Sequence, residues 1–325
     1  MLVFVLRRLA QTLLVLGVTS LLVFVGIFLV GDPIEMLVSP QADQAEMARA
    51  RTALGLDKPM WVQYGLFLRN AVTGDLGLSF VYGRPAIDVI LERMPATLEL
   101  AVVAMVISIV IGVPLGLYAG LKPDSVLSKT IMAGSILGFS LPTFWVGLLL
   151  IMVFAVQLGW LPSTGRGPTV DVLGLKLSIL HWEGLRHAIL PATNLALFKL
   201  SLIIRLTRAQ VRENVMLDYM KFARAKGLPR SRVLGVHLLK NILIPLVTVI
   251  GLELGSVIAF AIVTESIFAW PGMGKLVIDS IFQLDRPVVV AYLLITVALF
   301  ILINLVVDLL YSVLDPRVRL DAAKG

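Results

Sequence analysis

The 325-residue sequence contains no cysteine and only three histidines, His181, His187 and His237. Disulfides, iron–sulfur clusters and thiolate chemistry are thereby excluded, and the histidines are too scattered to point to a zinc site. Charge is scarce as well: Asp, Glu, Lys and Arg make up 15% of the residues, against about a quarter in globular domains. With hydrophobic residues at 58%, a soluble enzyme is excluded. Catalytic signatures are missing too, since no G-x-S-x-G, H-E-x-x-H or paired-carboxylate arrangement occurs. The stretch Trp270-Pro271-Gly272-Met273-Gly274-Lys275-Leu276 looks briefly like a phosphate-binding loop. It has Ala269 where an earlier glycine is needed and Leu276 where Ser or Thr would hold magnesium, so it lacks both the cradle and the metal ligand.

What the chain has instead is long apolar runs. A spanning helix needs about 20 predominantly apolar residues, because backbone polar groups must be satisfied within the bilayer core. Residues 9–31, 100–121 and 287–307 meet this without a charge. Residues 130–165 exceed one span, which predicts a helix kinked at Pro142 and ending near Gly159. Residues 188–206, with Lys199 and Arg205, and 242–266, with Glu253 and Glu265, complete a set of six. The expected fold is all-α and polytopic, with about six transmembrane helices. It divides into an N-terminal helix at 1–31, an external cap region at 32–96 and a five-helix core at 97–325. Arg7 and Arg8 precede the first run as in a signal peptide, but that run is longer than a signal's apolar region and no A-x-A site follows. An uncleaved first span is expected.

The net charge of +7 could suggest nucleic acid, but its distribution reads differently. Lys and Arg concentrate in the segments that share the N-terminus's side, above all in 207–241, which predicts cytoplasmic termini and a cytoplasmic 207–241 loop. In that loop Val211, Val215, Tyr219, Phe222 and Ala223 recur at helical spacing until Gly227 and Pro229 break the pattern. A basic, apolar-striped helix there is either a membrane-surface helix or a docking element for a cytoplasmic partner. On the other side, 41–54 is rich in Ala, Glu and Arg and predicts a helix ended by Gly55 and Pro59. Gly112, Gly116 and Gly120, then Gly134 and Gly138, then Gly251 and Gly255, have the four-residue spacing that lets helix backbones approach closely. Pro114 lies among the first of these. Lys199 and Glu253, with Asn194 and Asn304 as polar neighbours, are the main mid-span ionisable candidates. They are either a structural pair or the coupling groups of an ion-driven carrier.

The segment Asp218-Tyr219-Met220-Lys221-Phe222-Ala223-Arg224-Ala225-Lys226-Gly227 resembles the cytoplasmic motif of membrane subunits of bacterial ABC importers, in the form found in the peptide and nickel permease family. Lys221 and Lys240 replace the Glu and Pro of the general importer motif, as in the first of the two permeases of peptide systems. Leu54-Gly55-Leu56-Asp57-Lys58-Pro59, Gly74-Asp75-Leu76-Gly77-Leu78-Ser79 and Arg93-Met94-Pro95-Ala96-Thr97-Leu98 are similar to the family's external region. Phe268 through Leu276 and Leu314-Asp315-Pro316-Arg317-Val318-Arg319 resemble its C-terminal signatures.

The resemblance implies a type I ABC importer permease in the bacterial cytoplasmic (inner) membrane, moving peptides delivered by an extracytoplasmic binding protein. It implies a homologous second permease and two cytoplasmic ATPases as partners, with ATP and Mg bound in those ATPases and no cofactor or metal in this chain. Asp218, Tyr219, Phe222, Ala223, Arg224, Ala225, Lys226 and Gly227 would form the ATPase-coupling loop, with small Ala223 and Gly227 at the contact. Lys199 and Glu253 stand where the family usually has an uncharged residue and often Gln. Alternatives are the same machine for nickel or another small solute, and an ion-coupled secondary carrier.

Overall fold

The computed structural model describes residues 2–29, 49, 52 and 57–314, with side chains placed over 10–26, 49, 52 and 57–307. The predicted 41–54 helix and the motif at 314–319 therefore fall largely outside the described residues. Helices dominate. In chain order they are α1 (Leu2–Leu29), α2 (Met60–Thr73), α3 (Ala86–Leu121), α4 (Val126–Ser140) and α5 (Thr143–Leu150), which continues as a π-helical stretch, Ile151–Gln157. A short antiparallel hairpin follows, β1 (Val170–Val172) with β2 (Leu175–Leu177). Then come α6 (Trp182–Val215), α7 (Asp218–Ala225), α8 (Leu239–Ile267), α9 (Met273–Phe282) and α10 (Arg286–Leu314). A turn at Arg230–Arg232 and a π-helical stretch, Val233–Leu238, lead directly into α8.

Among the described residues, four continuous helices are long and apolar enough to cross a membrane: Ala86–Leu121, Trp182–Val215, Arg230–Ile267 and Arg286–Val307. A fifth crossing exists if α4 and Thr143–Gln157 count as one span, and α1 contributes the shorter apolar segment Ala10–Gly26. The expected kink at Pro142 is a complete break, with the two halves bent by 106°. Leu141 is extended (φ −81, ψ 136) and Pro142 opens α5. Proline's ring disfavours the helical region for the residue before it, which is why the break falls there. Two expected boundaries also move. The region expected to be external up to Ala96 is already helical from Ala86, and α6 runs to Val215, past the expected 206.

The contacts divide the chain into two compact units that cut across the expected 1–31, 32–96 and 97–325 boundaries. One comprises Met1–Glu92 and Leu276–Ile301, the other Arg93–Lys275 and Leu302–Gly325. In the first, α2 packs on α1 through Phe24 against Tyr64 and Phe67, with ring centroids 5.4 and 5.6 Å apart, and Ser20 Oγ bonds the Tyr64 hydroxyl at 2.9 Å. The Gly74–Ser79 motif is anchored by Asp285. Its buried carboxylate accepts from the Ser79 hydroxyl and from the backbone N–H of Phe80 and Val81 at 3.2 and 3.3 Å.

In the second unit, the glycine row of α3 lies directly on α6. A Cβ at Gly112, Gly116 or Gly120 would come within 2.8 Å of Ile203, 2.6 Å of Thr207 or 2.6 Å of Val211. Gly251 is as tightly covered by Val307, at 2.4 Å, whereas Gly134 meets nothing within 4 Å. The spacing therefore marks close helix approach in the first and third cases, not at Gly134.

Candidate functional site

Residues 207–241 fold into the end of α6, the short α7 and the entry to α8. Leu217 is extended before α7, and Asp218 opens the helix where its carboxylate favours the N-terminal dipole. The Lys221 ammonium, hydrogen-bonded at 2.9 Å, holds the Asp218 carboxyl below the usual range. The helix stops at Gly227, whose φ of +70 suits glycine, with its N–H returning to the Arg224 carbonyl at 2.9 Å.

This helix has two distinct faces. Met220 and Ala223 point inward, into a cluster made by Val211 of α6, Val233 and Leu238 of the π-helical stretch, and Ile242 and Leu246 of α8. Ala223 is 3% exposed, so its small size serves packing within this chain and not, as expected, contact with a partner. Tyr219 lies between the faces. Its hydroxyl donates to Asn214 Oδ1 at 2.9 Å, and burial pushes its pKa up. The outer face is formed by Asp218, Phe222, Arg224, Ala225, Lys226 and Gly227, all exposed. Phe222 is 61% exposed with the Lys226 ammonium 4.6 Å from its ring centroid, and Met216 and Leu217 extend the apolar patch. The helix thus packs on both α6 and α8 by its inner face and leaves an apolar and basic outer surface.

Lys199 of α6 and Glu253 of α8 are brought together as an ion pair. Ser256 Oγ accepts from Lys199 Nζ at 2.7 Å and donates to Glu253 Oε2 at 2.8 Å. Asn194 is not part of this group, because its Nδ2 donates to Thr264 Oγ1 at 3.0 Å. Among the described residues no three His, Asp or Glu side chains gather as a metal-holding group.

The glycines of Trp270–Lys275 do surround an acidic group, but it is a side chain of this chain. The buried Glu265 carboxylate accepts from Thr97 Oγ1 at 2.6 Å and from the Lys275 N–H at 2.9 Å. A Cβ at Gly272 would lie 2.3 Å from Glu265 Oε1, and one at Gly274 2.9 Å from Oε2. Trp270 Nε1 donates to the Ala96 carbonyl and the Met273 N–H to Thr97 Oγ1, both at 2.8 Å, which ties this segment to α3. Sequence reasoning rejected nucleotide here and missed the internal carboxylate. It also missed Glu99, which is buried and accepts from Arg166 Nε at 2.9 Å and from the Ser178 hydroxyl at 3.1 Å. The available signal was an acid at the edge of an apolar run, where isolated burial would be too costly without such donors.

Residues 112–320 match the family model described as "Binding-protein-dependent transport system inner membrane component", and residues 1–101 match its N-terminal companion. The chain belongs to this family. It is 39% identical over 336 residues to the dipeptide transport system permease protein DppB of Escherichia coli (strain K12), covering 98% of this chain and 99% of that protein. It is 38% identical over 318 residues to the oligopeptide transport system permease protein AppB of Bacillus subtilis (strain 168), covering 97% and 99%. Among solved structures, an inward-facing conformation of the MetNI methionine ABC transporter matches with a TM-score of 0.55 at 18% identity, over 70% of this chain and 96% of that one. That likeness shows the fold, a type I ABC importer permease. The family member described here is accordingly a multi-pass permease subunit of an ABC importer in the inner membrane.

Proposed function

We propose that this permease subunit carries peptides inward, forming one half of a pathway whose other half is a homologous second permease. The observation that carries the cargo is near-full-length similarity to permeases named for dipeptide and oligopeptide transport. An extracytoplasmic binding protein delivers the peptide, and two cytoplasmic ATPases, which hold ATP and Mg, supply the energy. Both termini and the α7 region lie in the cytoplasm.

In this account Phe222, Met216 and Leu217 enter an apolar recess of an ATPase while Lys226 and Arg224 meet acidic groups at its rim. ATPase closure moves α7 as a body, since Met220 and Ala223 fix it to α6 and α8. The displacement biases the equilibrium between outward-open and inward-open arrangements. Uptake by the complete transporter in proteoliposomes tests the cargo. Labelled dialanine should accumulate when its binding protein is present, and accumulation of nickel but no peptide would replace this reading with the metal one.

A further inference from the structure

The Lys199–Glu253 pair sits on membrane-crossing helices, yet it is not sealed. The Lys199 side chain is 6% exposed and the Glu253 side chain 23%. Glu253, Ser256 and Phe260 share one face of α8 at helical spacing, and Phe260 is largely exposed. A charged group with an open edge within a span faces a water-filled or protein interior, not lipid. The aromatic surface beside Lys199 reaches from Phe198 of α6 to Phe139 of α4. Lys199 Nζ lies 5.4 Å from the Phe198 ring centroid, Phe198 stacks on Phe139 at 4.5 Å, and the Arg205 guanidinium lies 4.8 Å from Phe139. Among the described residues no carboxylate pairs with Arg205. A buried ion pair is weak evidence for a purely stabilising role, because well-packed apolar residues often replace one at little cost.

We infer that Lys199 and Glu253 form a way-station for a peptide's charged ends, Glu253 taking the terminal ammonium and Lys199 taking the terminal carboxylate. The inference rests on the peptide reading above. A free peptide entering the membrane carries two opposite charges that lose water. Exchanging partners turns the one internal ion pair into two with the peptide, and the added pair offsets the water that the peptide's termini lose. Such an exchange is close to balanced, so the peptide is held long enough to enter and weakly enough to leave. The exposed aromatic surface of Phe260 offers a sequence-tolerant contact for whatever side chain accompanies those termini.

The test uses the complete transporter, and the absence of cysteine in this chain makes it clean. With Ser256→Cys, a membrane-impermeant thiol reagent should label this chain, and dialanine with its binding protein should slow the labelling severalfold. With Lys199→Met and Glu253→Gln together, the dialanine transported per ATP hydrolysed by the assembled complex should fall at least tenfold. Reversing the pair, Lys199→Glu with Glu253→Lys, should restore much of that uptake. No labelling at Ser256→Cys, labelling indifferent to peptide, or unchanged uptake per ATP in the neutral double variant would each overturn the way-station while leaving peptide transport intact. Wild-type transporter that takes up no dialanine would instead overturn the cargo reading and the way-station with it.

Discussion

At the scale of single residues, four carboxylates organise the molecule, and between them they find three answers to burial. Glu253 meets an ammonium, Glu99 a guanidinium, while Glu265 and Asp285 are held by hydroxyl and backbone N–H donors. Only the first was legible in the sequence, because Lys199 and Glu253 stand as opposite charges inside two apolar runs. The other partners come from backbone groups or from residues far along the chain, which no periodicity reveals. Breaking one partner of the Lys199–Glu253 pair leaves an uncompensated charge, so Lys199→Met or Glu253→Gln alone should destabilise the complex by about 3 kcal/mol, with the double variant recovering part of the loss. Thermal unfolding of the four forms checks this, and strict additivity would refute the coupling. Gly272→Ala places a methyl into the Glu265 carboxylate, which should cost about 1 to 3 kcal/mol by overpacking. The same measurement reads it, and an unchanged midpoint would mean that the glycine is not needed to house that carboxylate.

At the scale of elements, the apolar runs located the crossing helices well, since lipid leaves the backbone few alternatives to helix. The break between α4 and α5 exceeds the expected kink because proline, besides lacking a donor, holds Leu141 extended and so opens the helix completely. In α7 the helical spacing was visible, but which apolar residues face inward depends on where α6 and α8 pass, and so Ala223 was assigned to the wrong face. The two faces give opposite expectations. Phe222→Ala should leave the chain folded and at normal membrane abundance while uptake and ATPase association drop at least tenfold. Ala223→Trp should instead reduce the amount of folded protein, through overpacking of the cluster around Met220. If Phe222→Ala transports normally with its ATPases attached, the outer face of α7 is not the docking surface.

At the scale of the whole molecule, the family motifs made the permease legible in sequence alone. The grouping of Leu276–Ile301 with Met1–Glu92 was not, because it is created by contacts between residues some two hundred positions apart, such as Ser79 with Asp285. The proposed orientation, with both termini and the α7 region cytoplasmic, rests on the basic loops and is open to labelling in intact cells. Leu173→Cys, at a fully exposed position of the hairpin, should react with an impermeant thiol reagent, and Ser231→Cys should be shielded until the membrane is opened. The reverse pattern would invert the topology. The central claim is that this chain supplies a pathway and takes its energy from partners. The most direct measurement is binding-protein-dependent uptake of labelled dialanine into proteoliposomes, with and without the two ATPase subunits. Uptake should require both the ATPases and ATP; uptake that survives their removal and follows an imposed ion gradient would make the chain an ion-coupled carrier instead.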